Sequence, residues 1–157
     1  MIGTEHANTC FYLPTPPKVP KKWNHLDTGA TQALIELNGN HWRKILTIMA
    51  KIVVNDKDWR QYRNQHLLKR DESIAIGANN LCSTAQRHII CGKESADVLN
   101  LDSTEFVQLD LQETSLLKHL DQNIYLCPYL DYRQFPNTQI DLLRQTLGLA
   151  PLCTTSD

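Results

Sequence analysis

Short apolar runs that end in turn residues alternate with helix-like segments through the second half of this chain of 157 residues. The strand-like runs are residues 88–91, 106–110 and 124–127. The helix-like segments are residues 93–99, 113–120 and 137–148. Such alternation requires crossover connections, which make the strands parallel and place helices against the sheet. The sequence therefore predicts a three-layer α/β fold around a mostly parallel sheet.

Helical patterns dominate the first half of the chain. Helices are predicted over residues 28–37, 41–54 and 56–69, and only residues 73–77 resemble a strand there. In the middle helix the apolar residues recur every three or four positions, while Arg43, Lys44 and Lys51 lie on the opposite face. We therefore expect a helix-rich N-terminal half.

Four prolines between residues 14 and 20 favour an extended backbone for residues 1–23. The neighbouring Phe11, Tyr12 and Trp23 give this segment apolar surface to bury. We expect an extended N-terminal arm packed on a single domain that spans residues 1–157, a usual length for one hydrophobic core.

Composition excludes several classes of protein. No apolar run approaches the roughly 20 residues of a membrane helix, and the N-terminus lacks the pattern of a signal peptide, so we expect a cytoplasmic protein without membrane contact. Five cysteines with no C-x-x-C pair, and six histidines with no i,i+4 pair, predict reduced structural thiols and no metal or other cofactor.

Charge is distributed unevenly along the chain. Residues 1–70 contain 11 Lys and Arg against 5 Asp and Glu, whereas residues 71–157 contain 5 against 12. A basic half is typical of a surface that binds polyanions, and also of helices with solvated outer faces. Under the first interpretation, Arg43, Lys44, Arg60 and Arg63 would contact phosphates.

The loop of residues 128–137 concentrates aromatic, carboxylate and guanidinium groups directly after a predicted strand. Ligands of parallel sheets bind beyond the carboxyl ends of the strands, and the turns after the other strands also lie there. The predicted ligand-binding residues are Tyr129, Asp131, Tyr132, Arg133, Asn79, Asn80, Gly92 and Lys93. The structural alternative is a packed loop with an ion pair between Asp131 and Arg133.

The segment Arg87-His88-Ile89-Ile90-Cys91-Gly92-Lys93-Glu94-Ser95-Ala96 resembles the strand, glycine and helix of the uracil-DNA glycosylase superfamily. That resemblance implies the superfamily's fold. It does not carry over the catalytic motifs, because Cys127 stands at the position of the motif histidine and Tyr129 at that of its serine. The whole chain also resembles a small uncharacterised bacterial family.

Three functions fit these patterns. The first is binding of a nucleobase-containing ligand or nucleic acid at the carboxyl ends of the strands. The alternative is a non-catalytic protein–protein interaction module that forms a homodimer, for which the helices or the N-terminal arm would supply apolar surface. The third is an enzyme acting on a small metabolite, although no catalytic residue is identified.

Overall fold

The computed structural model describes residues 1–109 and 116–152, and these form two compact units. The first unit comprises Met1–Pro17 and Leu68–Tyr129. The second comprises Lys18–Leu67 and the chain from Leu130 onward. Because each unit is made from two separate stretches of the chain, it depends on contacts between residues far apart in sequence. The expected single domain and its three-layer arrangement stay predictions.

A seven-stranded sheet forms the first unit. Its strands are β1 (Ile2–Gly3), β2 (Thr9–Leu13), β3 (Glu72–Ile76), β4 (Arg87–Cys91), β5 (Phe106–Gln108), β6 (Leu117–His119) and β7 (Ile124–Cys127). Their spatial order is β1-β3-β2-β4-β7-β6-β5. The helix α4 (Lys93–Leu99) packs against β4 in the same unit. A short 3₁₀ helix, Ser103–Glu105, precedes β5.

The sheet is mixed, and the prediction of a mostly parallel sheet is wrong in this respect. The inner strands β3, β2, β4 and β7 are parallel to one another. Both edges are antiparallel: β1 pairs with β3 at one edge, and β5, β6 and β7 pair in succession at the other. A parallel core is therefore extended on each side by short strands.

One of these edge strands replaces part of a predicted helix. Residues 113–120 were expected to be helical, but β6 occupies Leu117–His119, and residues 110–115 lie outside the described residues. Only four residues separate His119 from Ile124, the first residue of β7. That connection is too short for a parallel crossover, so β6 returns beside β7 as an antiparallel neighbour.

The N-terminal segment contributes an inner strand to the sheet. Residues 9–13 were expected in an extended arm, and β2 is indeed extended, but it lies between β3 and β4 with all five residues buried. Phe11 and Tyr12 belong to residue types that favour strands, and a strand buried on both faces has no polar alternation. The chain leaves the sheet at Pro14, which cannot donate a ladder hydrogen bond.

The second unit is helical. Its helices are α1 (Ala30–Asn38), α2 (Asn40–Val53), α3 (Trp59–Gln65) and α5 (Asn137–Thr146). The most regularly amphipathic helix, α2, packs against the other three. Its apolar face is fully buried, with Ile45, Leu46, Ile48, Met49 and Ile52 at 0% exposure. The first half of the chain thus contains three of the predicted helices, but also β1, β2 and β3.

A buried arginine holds the end of α2. Arg144 of α5 is 1% exposed, and its guanidinium donates to the carbonyl oxygens of Lys51 at 2.9 Å, Val54 at 2.6 Å and Ala150 at 2.7 Å. The last carbonyls of a helix have no partner within the helix, so Arg144 satisfies groups that would otherwise be buried unpaired. Among the described residues, no helix is long and apolar enough to cross a membrane.

Candidate functional site

Five of the predicted binding residues belong to the first unit and follow its parallel strands. We call them the strand-end group: Asn79, Asn80, Gly92, Lys93 and Tyr129. The parallel strands lie in the order β3-β2-β4-β7, so the direction of chain progression reverses between β2 and β4. Such a reversal is the usual position of ligands in open α/β sheets. Gly92 directly follows β4 at this point.

Gly92 and Tyr129 lie against each other. The backbone of Gly92 has a φ of +96°, and a Cβ atom there would lie 3.3 Å from Cδ1 of Tyr129. Only glycine adopts this conformation readily, so the residue is required both by the turn and by the neighbouring ring. The ring of Tyr129 therefore covers the start of α4.

The remaining strand-end residues face solvent. Asn79 and Asn80 are exposed, and the amide of Asn80 donates to Oδ1 of Asn79 at 3.2 Å. Lys93 forms an exposed ion pair with Asp97, one turn further along α4, with 3.1 Å between Nζ and Oδ2. The positive charge of Lys93 is thus compensated by its own helix. The strand-end group therefore presents amides and one neutralised cation.

The other three predicted residues belong to the second unit. Asp131 accepts from Nζ of Lys44 at 3.1 Å and from the backbone N–H of Arg133 at 3.1 Å. These donors hold the pKa of the Asp131 carboxyl below its ordinary value, with the Lys44 hydrogen bond the larger cause. Asp131 thus pairs with Lys44 and shapes the turn, while the side chain of Arg133 is exposed.

Tyr132 lies among cations of α2. Its side chain is 45% exposed, and its ring centre lies 5.7 Å from Nζ of Lys44 and 6.0 Å from Nζ of Lys51. These two lysines are seven residues apart, a spacing that places them on one face of a helix. Phe135, which is fully buried, anchors the same loop. The loop therefore presents an aromatic ring beside two ammonium groups.

A second ring, that of Trp59 at the start of α3, is also surrounded by cations. Its centre lies 5.0 Å from Nζ of Lys51, 4.9 Å from Cζ of Arg60 and 5.6 Å from Cζ of Arg63. Lys51 thus lies near both rings. These distances are within the range of cation–π attraction.

Together these side chains make up what we call the cation–aromatic surface. Its members are Arg43, Lys44, Lys51, Trp59, Arg60, Arg63 and Tyr132. All belong to the second unit, on α2, on α3 and in the loop before α5. The sequence predicts Arg43, Lys44, Arg60 and Arg63 as phosphate contacts. The structure places Lys44 beside Tyr132, Arg60 and Arg63 beside Trp59, and Arg43 near enough to Arg63 for its charge to act there.

Two arginines of this surface, Arg43 and Arg63, are held in place by neutral groups. Nη1 of Arg63 donates to the Thr47 hydroxyl at 2.9 Å and its Nε to Oδ1 of Asn64 at 3.0 Å. Nη1 of Arg43 donates to Oδ1 of Asn40 at 2.7 Å. In residues 1–109 and 116–152, no carboxylate lies within ion-pair distance of Arg43, Arg60 or Arg63. Hydrogen bonds therefore fix Arg43 and Arg63, and no carboxylate of the described residues compensates the charge of any of the three arginines.

Mutual repulsion acts on these charges. Burial lowers the pKa of the Arg63 guanidinium, and the positive charges of Arg60 and Arg43 lower it further. A guanidinium nevertheless stays charged at neutral pH. A cluster of like charges that no described carboxylate compensates is an arrangement that an anion would stabilise.

Two grooves adjoin the surface. The larger, of about 330 Å³, is lined by Lys51, Tyr132, Phe135, Pro136 and Asn137. The smaller, of about 150 Å³, is lined by Lys51, Lys57, Trp59, Asn137, Ile140, Asp141 and Leu152. Both grooves share Lys51 and Asn137, whose Nζ and Oδ1 atoms lie 3.0 Å apart. The larger groove therefore has the rings of Tyr132 and Phe135, the smaller has that of Trp59, and both have the ammonium group of Lys51.

Sequence reasoning did not identify Trp59, Lys51 or Asn137 as site residues. The spacing of Lys44 and Lys51 on α2 was a usable signal, as was the Trp-Arg-x-x-Arg order at the start of α3. What no local pattern indicated is that Lys51 meets Asn137, a residue 86 positions away.

Four of the cysteines are described, and they form no disulfide among themselves. Cys10, Cys91 and Cys127 are buried, and burial raises the pKa of each thiol. Cys82 differs, because the Thr84 hydroxyl lies 3.1 Å from its Sγ and lowers the pKa of that thiol. Cys153 lies outside the described residues.

Comparison with known proteins places the chain in a family without assigning an activity. Residues 1–148 match the model of DUF6942, a family of unknown function, and the chain belongs to that family. This confirms the expected kinship with an uncharacterised family. No curated protein and no solved structure matches the chain. The resemblance to uracil-DNA glycosylases stays a prediction.

Proposed function

We propose that this DUF6942 protein binds a phosphate-bearing nucleobase ligand, a nucleotide or a nucleic acid, through the cation–aromatic surface. The observation that carries the proposal is the arginine cluster. Arg43 and Arg63 are held by amide and hydroxyl oxygens, and no described carboxylate neutralises them or Arg60.

The energetics of this arrangement favour an anion. Holding guanidinium groups near one another costs free energy because like charges repel, and partial burial weakens the hydration of Arg63. A phosphate that enters between them relieves the repulsion and forms charge-assisted hydrogen bonds with donors already in place. Planar guanidinium groups suit phosphate in particular, since they donate two parallel hydrogen bonds.

The aromatic rings supply the second half of the recognition. Tyr132 is half exposed and borders a groove of about 330 Å³. Stacking of a base on an aromatic ring contributes about 1–3 kcal/mol and tolerates any base. Phosphate donors next to stacking rings are the combination that nucleotides and nucleic acids require.

This proposal differs from the sequence-based one in the residues that bind. Tyr132 stays in the contact group, while Asp131 acts through Lys44 and the arginines of α2 and α3 provide most of the charge. The strand-end group is left as a secondary candidate. The alternatives of a homodimeric interaction module and a small-metabolite enzyme stay predictions.

Fluorescence anisotropy with a labelled oligonucleotide tests the proposal. We expect wild-type protein to bind, and Arg60→Gln to weaken binding about tenfold through loss of one phosphate contact. Lys21→Gln is the matched control, because it removes one exposed charge of the same unit outside the surface. Failure of wild type to bind either the oligonucleotide or a labelled nucleotide, or equal losses in both variants, would reject the proposed function.

A further inference from the structure

From the two grooves around Lys51 we infer that the ligand is a single-stranded nucleic acid and that two successive bases of the strand occupy the grooves on either side of one phosphate. The inference rests on the proposed function and specifies its ligand. It depends on the placement of one ammonium group between two aromatic sites.

Lys51 is the centre of the arrangement. Its Nζ lies 5.0 Å from the ring centre of Trp59 and 6.0 Å from that of Tyr132. The same side chain lines both the groove of about 330 Å³ and the groove of about 150 Å³. One cation thus adjoins two separate recesses, one with the rings of Tyr132 and Phe135 and the other with the ring of Trp59 and the carboxylate of Asp141.

A single strand has the matching sequence of chemical groups. Along its backbone each phosphate is flanked by two nucleotides, whose bases rotate outward once they are unpaired and unstacked. With a phosphate at Lys51, the preceding and following bases reach the Tyr132 groove and the Trp59 groove. The neighbouring phosphates then lie within reach of the cations that continue on α3, namely Arg60 and Arg63.

A duplex lacks these features. Its bases are stacked and paired, so their faces are unavailable to Tyr132 and Trp59, and only the phosphates remain to be contacted. A mononucleotide fills one groove and leaves the other empty. The geometry therefore predicts an order of affinity: single strand above dinucleotide, dinucleotide above mononucleotide, and single strand above duplex of the same length.

Competition against a labelled oligothymidine, followed by anisotropy, tests this order. The competitors are thymidine monophosphate, the dinucleotide, unlabelled oligothymidine, a duplex of equal length and heparin, a polyanion without bases. We expect the single strand to compete at least about tenfold better than the duplex or heparin. Tyr132→Ala should reduce that preference, because only the Trp59 groove still takes a base, while Tyr132→Phe, which keeps the ring, should retain it.

The outcomes separate the inference from the proposed function. Equal competition by duplex and single strand, with base-free heparin much weaker, overturns the inference and leaves nucleic-acid binding intact. Equal competition by mononucleotide and dinucleotide also overturns it. Equal competition by heparin, together with full binding by Tyr132→Ala, overturns both, because recognition would then depend on charge alone. A thermal melt of each variant shows that a lost preference comes from a folded protein.

Discussion

The strand-end group and the cation–aromatic surface both carry a lysine paired with a carboxylate, and they differ in the arginines that the surface adds. Lys93 in the strand-end group is paired with Asp97 on its own helix. Arg43 and Arg63 on the cation–aromatic surface are held by Asn40, Asn64 and Thr47, none of which carries charge. A polyanion gains most from cations that are positioned but not neutralised. Under the proposed function, the compensation of the charges, rather than their number, distinguishes the binding surface from a solvated one.

A third kind of cation in the second unit, the buried Arg144, gives the largest expected effect, a loss of stability. Arg144 is buried and serves the end of α2, so Arg144→Met should leave carbonyl oxygens of Lys51 and Val54 unsatisfied. We expect the free energy of unfolding to fall by about 3 kcal/mol. Urea denaturation measures this loss. Arg133→Met, at an exposed arginine of the same unit, is the control, and equal stability of the two variants would contradict the assignment.

The next effect is a loss of affinity on removal of an aromatic ring, that of Tyr132. Tyr132→Ala should lower affinity for single strands by about 1–3 kcal/mol, because a stacking platform is lost. Tyr129→Ala in the strand-end group should instead lower stability, since the ring packs against Gly92. Binding and urea denaturation measured on both variants decide this. Loss of affinity at unchanged stability in Tyr129→Ala, without such a loss in Tyr132→Ala, would contradict the assignment of binding to Tyr132 and of packing to Tyr129.

A smaller effect is expected at Cys82 in the first unit. Alkylation requires the thiolate, and the lowered pKa of Cys82 gives it more thiolate at neutral pH than the buried Cys10, Cys91 and Cys127. The rate should rise with pH and level off once the thiol is deprotonated. In Thr84→Val the same curve should move to higher pH, because the hydroxyl that stabilises the thiolate is gone.

Peptide mapping after a brief exposure to iodoacetamide measures these rates for each cysteine. Denatured protein, in which all thiols react alike, is the control. Faster reaction of Cys91 or Cys127 than of Cys82 in the folded protein would show that burial does not protect those thiols.

The smallest effect is predicted for the compensated cation. Exposed i,i+4 ion pairs contribute little to stability, so Lys93→Gln should change neither the unfolding midpoint nor the affinity for oligonucleotides measurably. Thermal melts and anisotropy check both. A clear loss of affinity in this variant would move the binding site toward the strand-end group.

The sequence predicted those helices and strands whose pattern of apolar residues can be recognised within the segment itself. The period of α2 and the apolar runs of β4 and β7 are of this kind, and the structure places all three close to the predicted positions. The strand β6 was missed because its state is set by pairing with Ile124–Cys127 and with β5, which outweighs the helical composition before it. The strand β2 was taken for an arm because full burial removes alternation and four prolines follow it.

The candidate site was predictable only in part, for a related reason. Arg43, Lys44, Arg60 and Arg63 stand out in the sequence as cations on helical faces, and Tyr132 as an aromatic residue in a polar loop. Whether a carboxylate compensates the charge of each cation cannot be read from the sequence, because that depends on which side chains lie close in space. Asp131 could have paired with Arg133, yet it pairs with Lys44, 87 residues away.

The salt dependence of single-strand affinity measures directly whether the arginines of the second unit contact phosphates. The logarithm of the binding constant falls as the logarithm of salt concentration rises, and each phosphate contact makes this slope steeper by about 0.7. Arg60→Gln should make that slope shallower by about 0.7, whereas Lys93→Gln should leave it at the wild-type value. An unchanged slope in Arg60→Gln, or a shallower slope in Lys93→Gln, would contradict the claim that uncompensated arginines of the second unit contact the ligand.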